Sequence, residues 1–136
     1  MKKQVIVLDT NIVLDLLVFN DAAAKPLRQA LDAGEFDWLA TRPMRDELER
    51  VLAYPQIVAR LACYQLPAAE VLAGFDRQAR LTAVPLKASV TCSDADDQIF
   101  VDLAVAHQAK LLSKDKAVLS MQKRLLALGV LAQAAI

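Results

Sequence analysis

The stretch Gln4 to Asp9 (QVIVLD) constrains the fold more than any other part of the chain. Val5, Ile6, Val7 and Leu8 are apolar without alternation. A strand so uniformly apolar is covered on both faces, as in a parallel sheet, and this one ends on an acid. The segments that follow supply the cover. Asn11 to Phe19 reads as a helix with Ile12, Leu16 and Phe19 on one side and Thr10 as its N-cap. Ala24 to Ala33 predicts a second helix, with Pro26 in its first turn and Gly34 as its stop. Asp37 to Ala40 (DWLA) predicts a strand, and Thr41 caps a helix through PMRDELERVLA. Pro55 and Pro67 open two more helices, to about Gln65 and about Leu81. Thr82 to Pro85 reads as a weak strand, and Lys87 to Cys92 as loop. Ser93 or Asp94 caps a long helix to about Gln108, and Lys110 to Ser113 (KLLS) is a strand. Lys116 to Leu128 is a helix stopped by Gly129, and Val130 to Ala134 a last strand, packed at the sheet edge. Strand and helix alternate, with extra helices in the middle. That order predicts an α/β fold, a three-layer α/β/α sandwich around a mostly parallel sheet.

The 136 residues fit one domain, 1–136, with no room for a second. Apolar residues (AVILMFWYC) make up 56% and charged residues 24%, with 3 Gly and 5 Pro, which excludes disorder, collagen-like repeats and low-complexity sequence. Lys+Arg and Asp+Glu are 16 each, so a cationic coat for nucleic acid is absent and only a local basic patch is left open. Aromatic residues, at 5%, are too few for a stacking platform of the kind that holds single strands. Cys63 and Cys92 form no CxxC and read as reduced thiols. Met1-Lys2-Lys3 resembles the start of a leader, but Asp9 and Asp15 interrupt the apolar run behind it. No apolar run approaches the ~18 residues of a spanning helix. The expectation is a soluble, cytoplasmic protein.

The acids carry the chemistry. Open parallel sheets place their sites at the carboxyl ends of the strands. Asp9 closes the first strand, and Asp115 follows KLLS by two residues. Either alone also reads as a helix cap. In the helix after Thr41 the apolar stripe is Met44, Leu48, Val51 and Leu52. Glu47 borders that stripe and can reach inward, or it can pair at the surface with Arg45 or Arg50. Asp94, Asp96 and Asp97 open the long helix, three acids where capping needs one. Phe100 and Ala104 place Asp97 on a core-facing side, yet Asp96 lies four residues before Phe100, so periodicity leaves the choice between them open. Asp102 falls on the opposite face.

These carboxylates have no matching basic or nucleophilic partner, and carboxylates brought together repel unless a proton or a cation bridges them. All-oxygen ligands select a hard divalent ion such as Mg²⁺ or Mn²⁺. An ion held that way activates water and clamps a phosphate oxygen, which is the logic of metal-dependent phosphodiester hydrolysis. Competing chemistries are thin. His107 is the only histidine and no second His or Cys ligand accompanies it. There is no Walker A or GxGxxG segment, and Asp9-Thr10-Asn11 lacks the second Asp of a DxD phosphatase nucleophile.

The pieces VLDTN (7–11), MRDELERVL (44–52), DADDQIFVDLA (94–104) and LLSKDKAVL (111–119) stand in an order that resembles the PIN-domain ribonucleases, and within them the small bacterial VapC-like toxins. The resemblance covers essentially the whole chain. It implies an α/β/α sandwich and an endoribonuclease that depends on Mg²⁺ or Mn²⁺. It carries the family's acids onto Asp9, Glu47, Asp97 and Asp115, with Asp97 chosen over Asp96 because the third acid lies seven residues before the Ala of the LA pair, here Ala104. Asp94 is an accessory ligand in this reading, and Asn11 orients the first acid from behind. Ser113-Lys114 stands where the family more often has Thr-Gly, and serine keeps the hydroxyl. The resemblance further implies a homodimer and an inhibitory antitoxin as partners. Arg42, Arg45, Lys114 and Lys116 lie beside the acids in sequence and are candidates to hold the RNA backbone. Two other readings remain on the same fold: a structure-specific DNA nuclease, and a non-catalytic module that binds metal and a partner.

Overall fold

The computed structural model describes residues 3–136, so Met1 and Lys2, the first two residues of the leader-like start, lie outside it. β1 (Gln4–Leu8) is the middle strand, and Ile6 and Val7 are completely buried, as an unbroken apolar run requires. β2 (Phe36–Ala40) lies parallel to β1 on one side, and β4 (Lys110–Leu112) lies parallel to it on the other. β3 (Arg80–Leu81) and β5 (Ala132–Gln133) extend the sheet to the order β3-β2-β1-β4-β5. Every pairing is parallel, so the expected mostly parallel sheet is wholly parallel. Helices flank it in an α/β/α sandwich.

The order fixes where a site can form. From β1 the chain moves outward through β2 to β3, then returns to the far side of β1 as β4. The carboxyl ends of β1 and β4 therefore face a crevice where the strand order reverses, the usual ligand position in an open α/β sheet. Helices α1 (Thr10–Leu17) and α6 (Gln98–His107) border it; α6 packs on both β1 and β4. Helices α3 (Arg42–Leu52) and α5 (Ala68–Gln78) pack on α1 and on each other. The Trp38 ring of β2 is buried edge-on against Phe75 of α5, with centroids 5.3 Å apart. Helices α2 (Lys25–Asp32) and α4 (Pro55–Cys63) complete the first half, α2 ending at Gly34 in a left-handed turn (φ +74°).

Several local expectations are corrected. Asp9, not Thr10, occupies the N-cap of α1; Thr10 is already helical and buried, and its hydroxyl turns to Glu47. The helix expected to reach Leu81 stops at Gln78, and the strand expected at 82–85 forms earlier, at Arg80–Leu81. Arg80 reaches across to Asp37 of β2 in a bidentate ion pair (3.2 and 2.6 Å), which anchors the strand at that register. The long helix after Asp94 begins as a separate 3₁₀ turn over Ala95–Asp97. The helix expected over 116–128 is two, α7 (Lys116–Leu119) and α8 (Gln122–Ala127), parted where Met121 turns into the core.

Candidate functional site

Asp9 follows β1 directly, and its backbone N–H donates to the Leu112 carbonyl (3.0 Å), carrying the sheet ladder one residue past the strand. That places a carboxylate at the sheet's carboxyl edge with only 4% of its surface exposed. Ser113, completely buried, donates its hydroxyl to Asp9 Oδ2 (2.6 Å) and accepts the backbone N–H of Asp115 (3.1 Å). One hydroxyl thus fixes two of the acids. Burial raises the Asp9 pKa; the Ser113 bond and the adjacent N–H groups of Thr10 and Asn11 oppose that, and the charge of Asp115 adds to it. Asn11 therefore acts on Asp9 through its backbone, while its side chain is exposed at the cleft rim.

Asp94 and Asp115 are capping residues whose second function is positional. Asp115 accepts from Ala117 N (2.8 Å) at the start of α7, and Asp94 accepts from Asp96 N (3.0 Å) at the 3₁₀ turn. Each leaves carboxylate oxygen to spare. Between them lies Asp97, which is buried, whereas Asp96 is exposed. Asp94, Asp97 and Asp115 each present an oxygen within 4.8 Å of the others. Asp9 and Glu47 stand beside that trio. Asp97 is the most perturbed group: burial first, then a hydrogen bond shared with Asp115, then the charges of Asp9, Asp115 and Asp94 push its pKa up to about 8. Its Oδ2 is buried and, among the described residues, without a hydrogen-bond partner.

Glu47 turns inward, not to Arg45 or Arg50. Its Oε2 accepts the Thr10 hydroxyl, a pairing across 37 residues. Burial raises the Glu47 pKa, the Thr10 bond opposes this, and Asp9 and Asp96 add to it. Asp9, Glu47 and Asp97 together line a cleft of about 280 Å³ whose lining also includes Tyr54, Gln56 and Ile57. Thr10, Tyr54 and Gln56 were not among the residues expected at the site. Thr10 gave only a capping signal, and the other two carry no charge and no spacing that points to a site.

The candidate cations are dispersed differently. Arg45 donates two hydrogen bonds to Asp76 of α5 (2.7 and 2.9 Å) and also pairs with Glu49, so it ties helix to helix. Arg42 pairs with Asp46 one turn on, at the surface. Lys114 reaches the buried Asp15 of α1 (2.5 Å). Lys116 is exposed and, among the described residues, has no ion pair. Asp102, expected on the solvent face, instead latches the 87–92 loop, accepting from Ala88 N (2.9 Å) and Gln98 Nε2 (2.7 Å). His107 is exposed, and both cysteines are free thiols, Cys92 buried and Cys63 exposed.

The donor set is all carboxylate, and it holds an orphaned, buried oxygen. It fits a hard divalent cation, which would occupy the space between like charges that otherwise need a proton. A parallel α/β/α sandwich with such a set at its central carboxyl edge defines a candidate metal-dependent nuclease. The PIN domain profile matches residues 5–117, and the chain belongs to the PIN-domain family. Divalent-metal-dependent nuclease activity is the general property of that family, and the acid cluster agrees with it. No curated protein matches the chain. Among the described residues, no helix is long and apolar enough to cross a membrane.

Proposed function

We propose that this chain is an endoribonuclease that uses Mg²⁺ or Mn²⁺ to hydrolyse phosphodiester bonds in RNA, and that it acts in the cytoplasm as the toxin of a VapC-like toxin–antitoxin pair. The observation that carries the reading is the convergence of Asp94, Asp97 and Asp115 to within 4.8 Å beside the buried Asp9. A cation bound there supplies a Lewis acid for a phosphoryl oxygen and lowers the pKa of water. Asp9 and Asp115 would anchor it at the sheet's carboxyl edge, with Asp97 completing the site and Asp94 as an accessory ligand. Ser113 keeps Asp9 aimed at the same edge, and Asn11 fixes Asp9 through its N–H. Glu47, steadied by Thr10 on Oε2, accepts on Oε1 the proton of the water that attacks phosphorus. The water oxygen bonds to phosphorus, one ribose oxygen leaves, and that oxygen takes up a proton. Of the four candidate cations, Lys116 beside Asp115 is the one with no ion pair among the described residues, which suits it to the RNA backbone; Arg42 and Lys114 keep partly exposed heads while paired.

The same reading includes a second copy of the chain and an antitoxin as protein partners. The test is cleavage of matched RNA and DNA oligonucleotides in Mg²⁺, in Mn²⁺ and in chelator. The reading requires RNA to be cut internally, only with the metal. Cleavage of DNA in place of RNA would establish the DNA-nuclease alternative, and no cleavage of either would leave a metal-binding interaction module.

A further inference from the structure

The lining of the cleft beside the acids is mixed: it takes in the carboxylates of Asp9, Glu47 and Asp97 and also the apolar Leu14, Val51 and Ile57, with Tyr54 among them. Tyr54 is 47% exposed, and among the described residues its ring has no aromatic or cationic partner and its hydroxyl no hydrogen bond. The other tyrosine is tethered. Arg60 Nε donates to the Tyr64 hydroxyl (3.2 Å), and the Arg60 guanidinium stands 5.8 Å from the Tyr64 ring centre. Although the Tyr54 side chain is untethered, its backbone is fixed. Its N–H donates to Val51 O (3.0 Å), its carbonyl accepts from Ile57 N (2.9 Å) and Val58 N (2.8 Å), and Pro55 holds it in an extended conformation at the start of α4. A large, half-exposed aromatic side chain on a fixed backbone therefore lines the same cleft as the acids.

We propose that Tyr54 positions the substrate by stacking on the nucleobase next to the scissile phosphate of an unpaired RNA strand, with the Gln56 amide meeting the edge of that base. The proposal rests on the ribonuclease reading above. A nucleotide whose phosphate meets the acids keeps its base within reach of the rest of the same lining, where Val51, Tyr54 and Ile57 offer apolar surface. A base inside a duplex is already stacked on both faces, whereas an unpaired base offers a face to a ring. The amide of Gln56, an exposed residue of the same lining, carries both a donor and an acceptor, which suits a base edge. One ring holds one base, which agrees with a chain too poor in aromatics for a longer stacking surface.

The test replaces Tyr54 and reads binding as well as cleavage. The native Trp38 is 2% exposed, so a tryptophan at position 54 gives a separate surface fluorescence signal. In Ca²⁺, a hard cation that takes the same oxygen ligands, Y54W should be quenched by a short single-stranded RNA. An abasic strand of the same length should quench it far less. Y54A should raise Kd for that RNA, and KM for its cleavage, by about tenfold, the size of one lost base stack, with kcat little changed and with Y54F near wild type. Equal quenching by the abasic strand, or unchanged Kd and KM in Y54A, overturns the stacking role even when the wild type cleaves RNA. Quenching by the base-bearing strand without any cleavage supports the stacking role and overturns the hydrolytic reading. Failure to bind any oligonucleotide overturns both.

Discussion

At Asp97, burial, the hydrogen bond to Asp115 and the charges of Asp9 and Asp94 act in one direction, and the carboxyl titrates at about pH 8. In the unfolded chain an aspartate titrates near 4. Between about pH 4 and pH 8 the metal-free fold thus keeps a proton that the unfolded chain has lost, and stability falls as pH rises through that window. Asp9 and Glu47, raised by burial, add to the same trend. Thermal melts in chelator should show wild type losing stability from pH 5 to pH 8, at about 4 °C for each kcal/mol. Asp97→Asn should flatten that curve and melt higher at pH 8, while cleavage falls two to three decades, because several kcal/mol of charge stabilisation are lost. Asp96→Asn, at an exposed position, should change neither. A D96N variant that lost cleavage while D97N kept it would reverse the assignment. Ser113 is a second residue-scale test. Ser113→Ala leaves Asp9 Oδ2 and the Asp115 N–H without their shared hydroxyl, and should cost about 1–3 kcal/mol in urea denaturation.

Among the elements, the two middle strands and the acids that follow them were legible because an apolar run ending on a charge has few places to go. Glu47 was legible as a residue bordering a helical stripe, but its partner was not, since Thr10 lies 37 residues away and read as a cap. Periodicity left the choice between Asp96 and Asp97 open for a physical reason. Residues Ala95–Asp97 form a 3₁₀ turn, with three residues per turn, so a 3.6-residue period carried back from α6 does not separate them. The split between α7 and α8 has no Gly or Pro to mark it; the buried Met121 makes it. Arginine partners were equally hidden, because Arg45 finds Asp76 only when α3 meets α5. That pairing separates two candidates. Lys116→Ala should lower the dependence of log K on log salt for single-stranded RNA by about 0.7, the effect of one released phosphate contact, and Arg45→Ala should leave it unchanged. At the other end of the fold Gly129, at φ +83°, closes α8, and Gly129→Ala should cost about 1–2 kcal/mol of stability without touching cleavage. Equilibrium unfolding paired with a cleavage assay checks both halves of that statement.

Across the whole molecule, the sheet's role is to bring acids from sequence positions 9, 94, 97 and 115 to one edge, where their mutual repulsion makes a cation favourable. Binding that cation must expel the proton on Asp97, so below about pH 8 each bound ion should release about one proton and binding should weaken as pH falls. Ten times Kd of metal should then stabilise the fold by roughly 1.4 kcal/mol. The most direct test is calorimetric titration of Mn²⁺ at pH 7 into wild type and into D97N, in two buffers of different ionisation heat. Saturable binding to wild type with about one proton released per ion, and at least tenfold weaker binding to D97N, is the predicted result. Equal Mn²⁺ affinity in the two proteins would place the ion away from these acids and contradict the account at its centre.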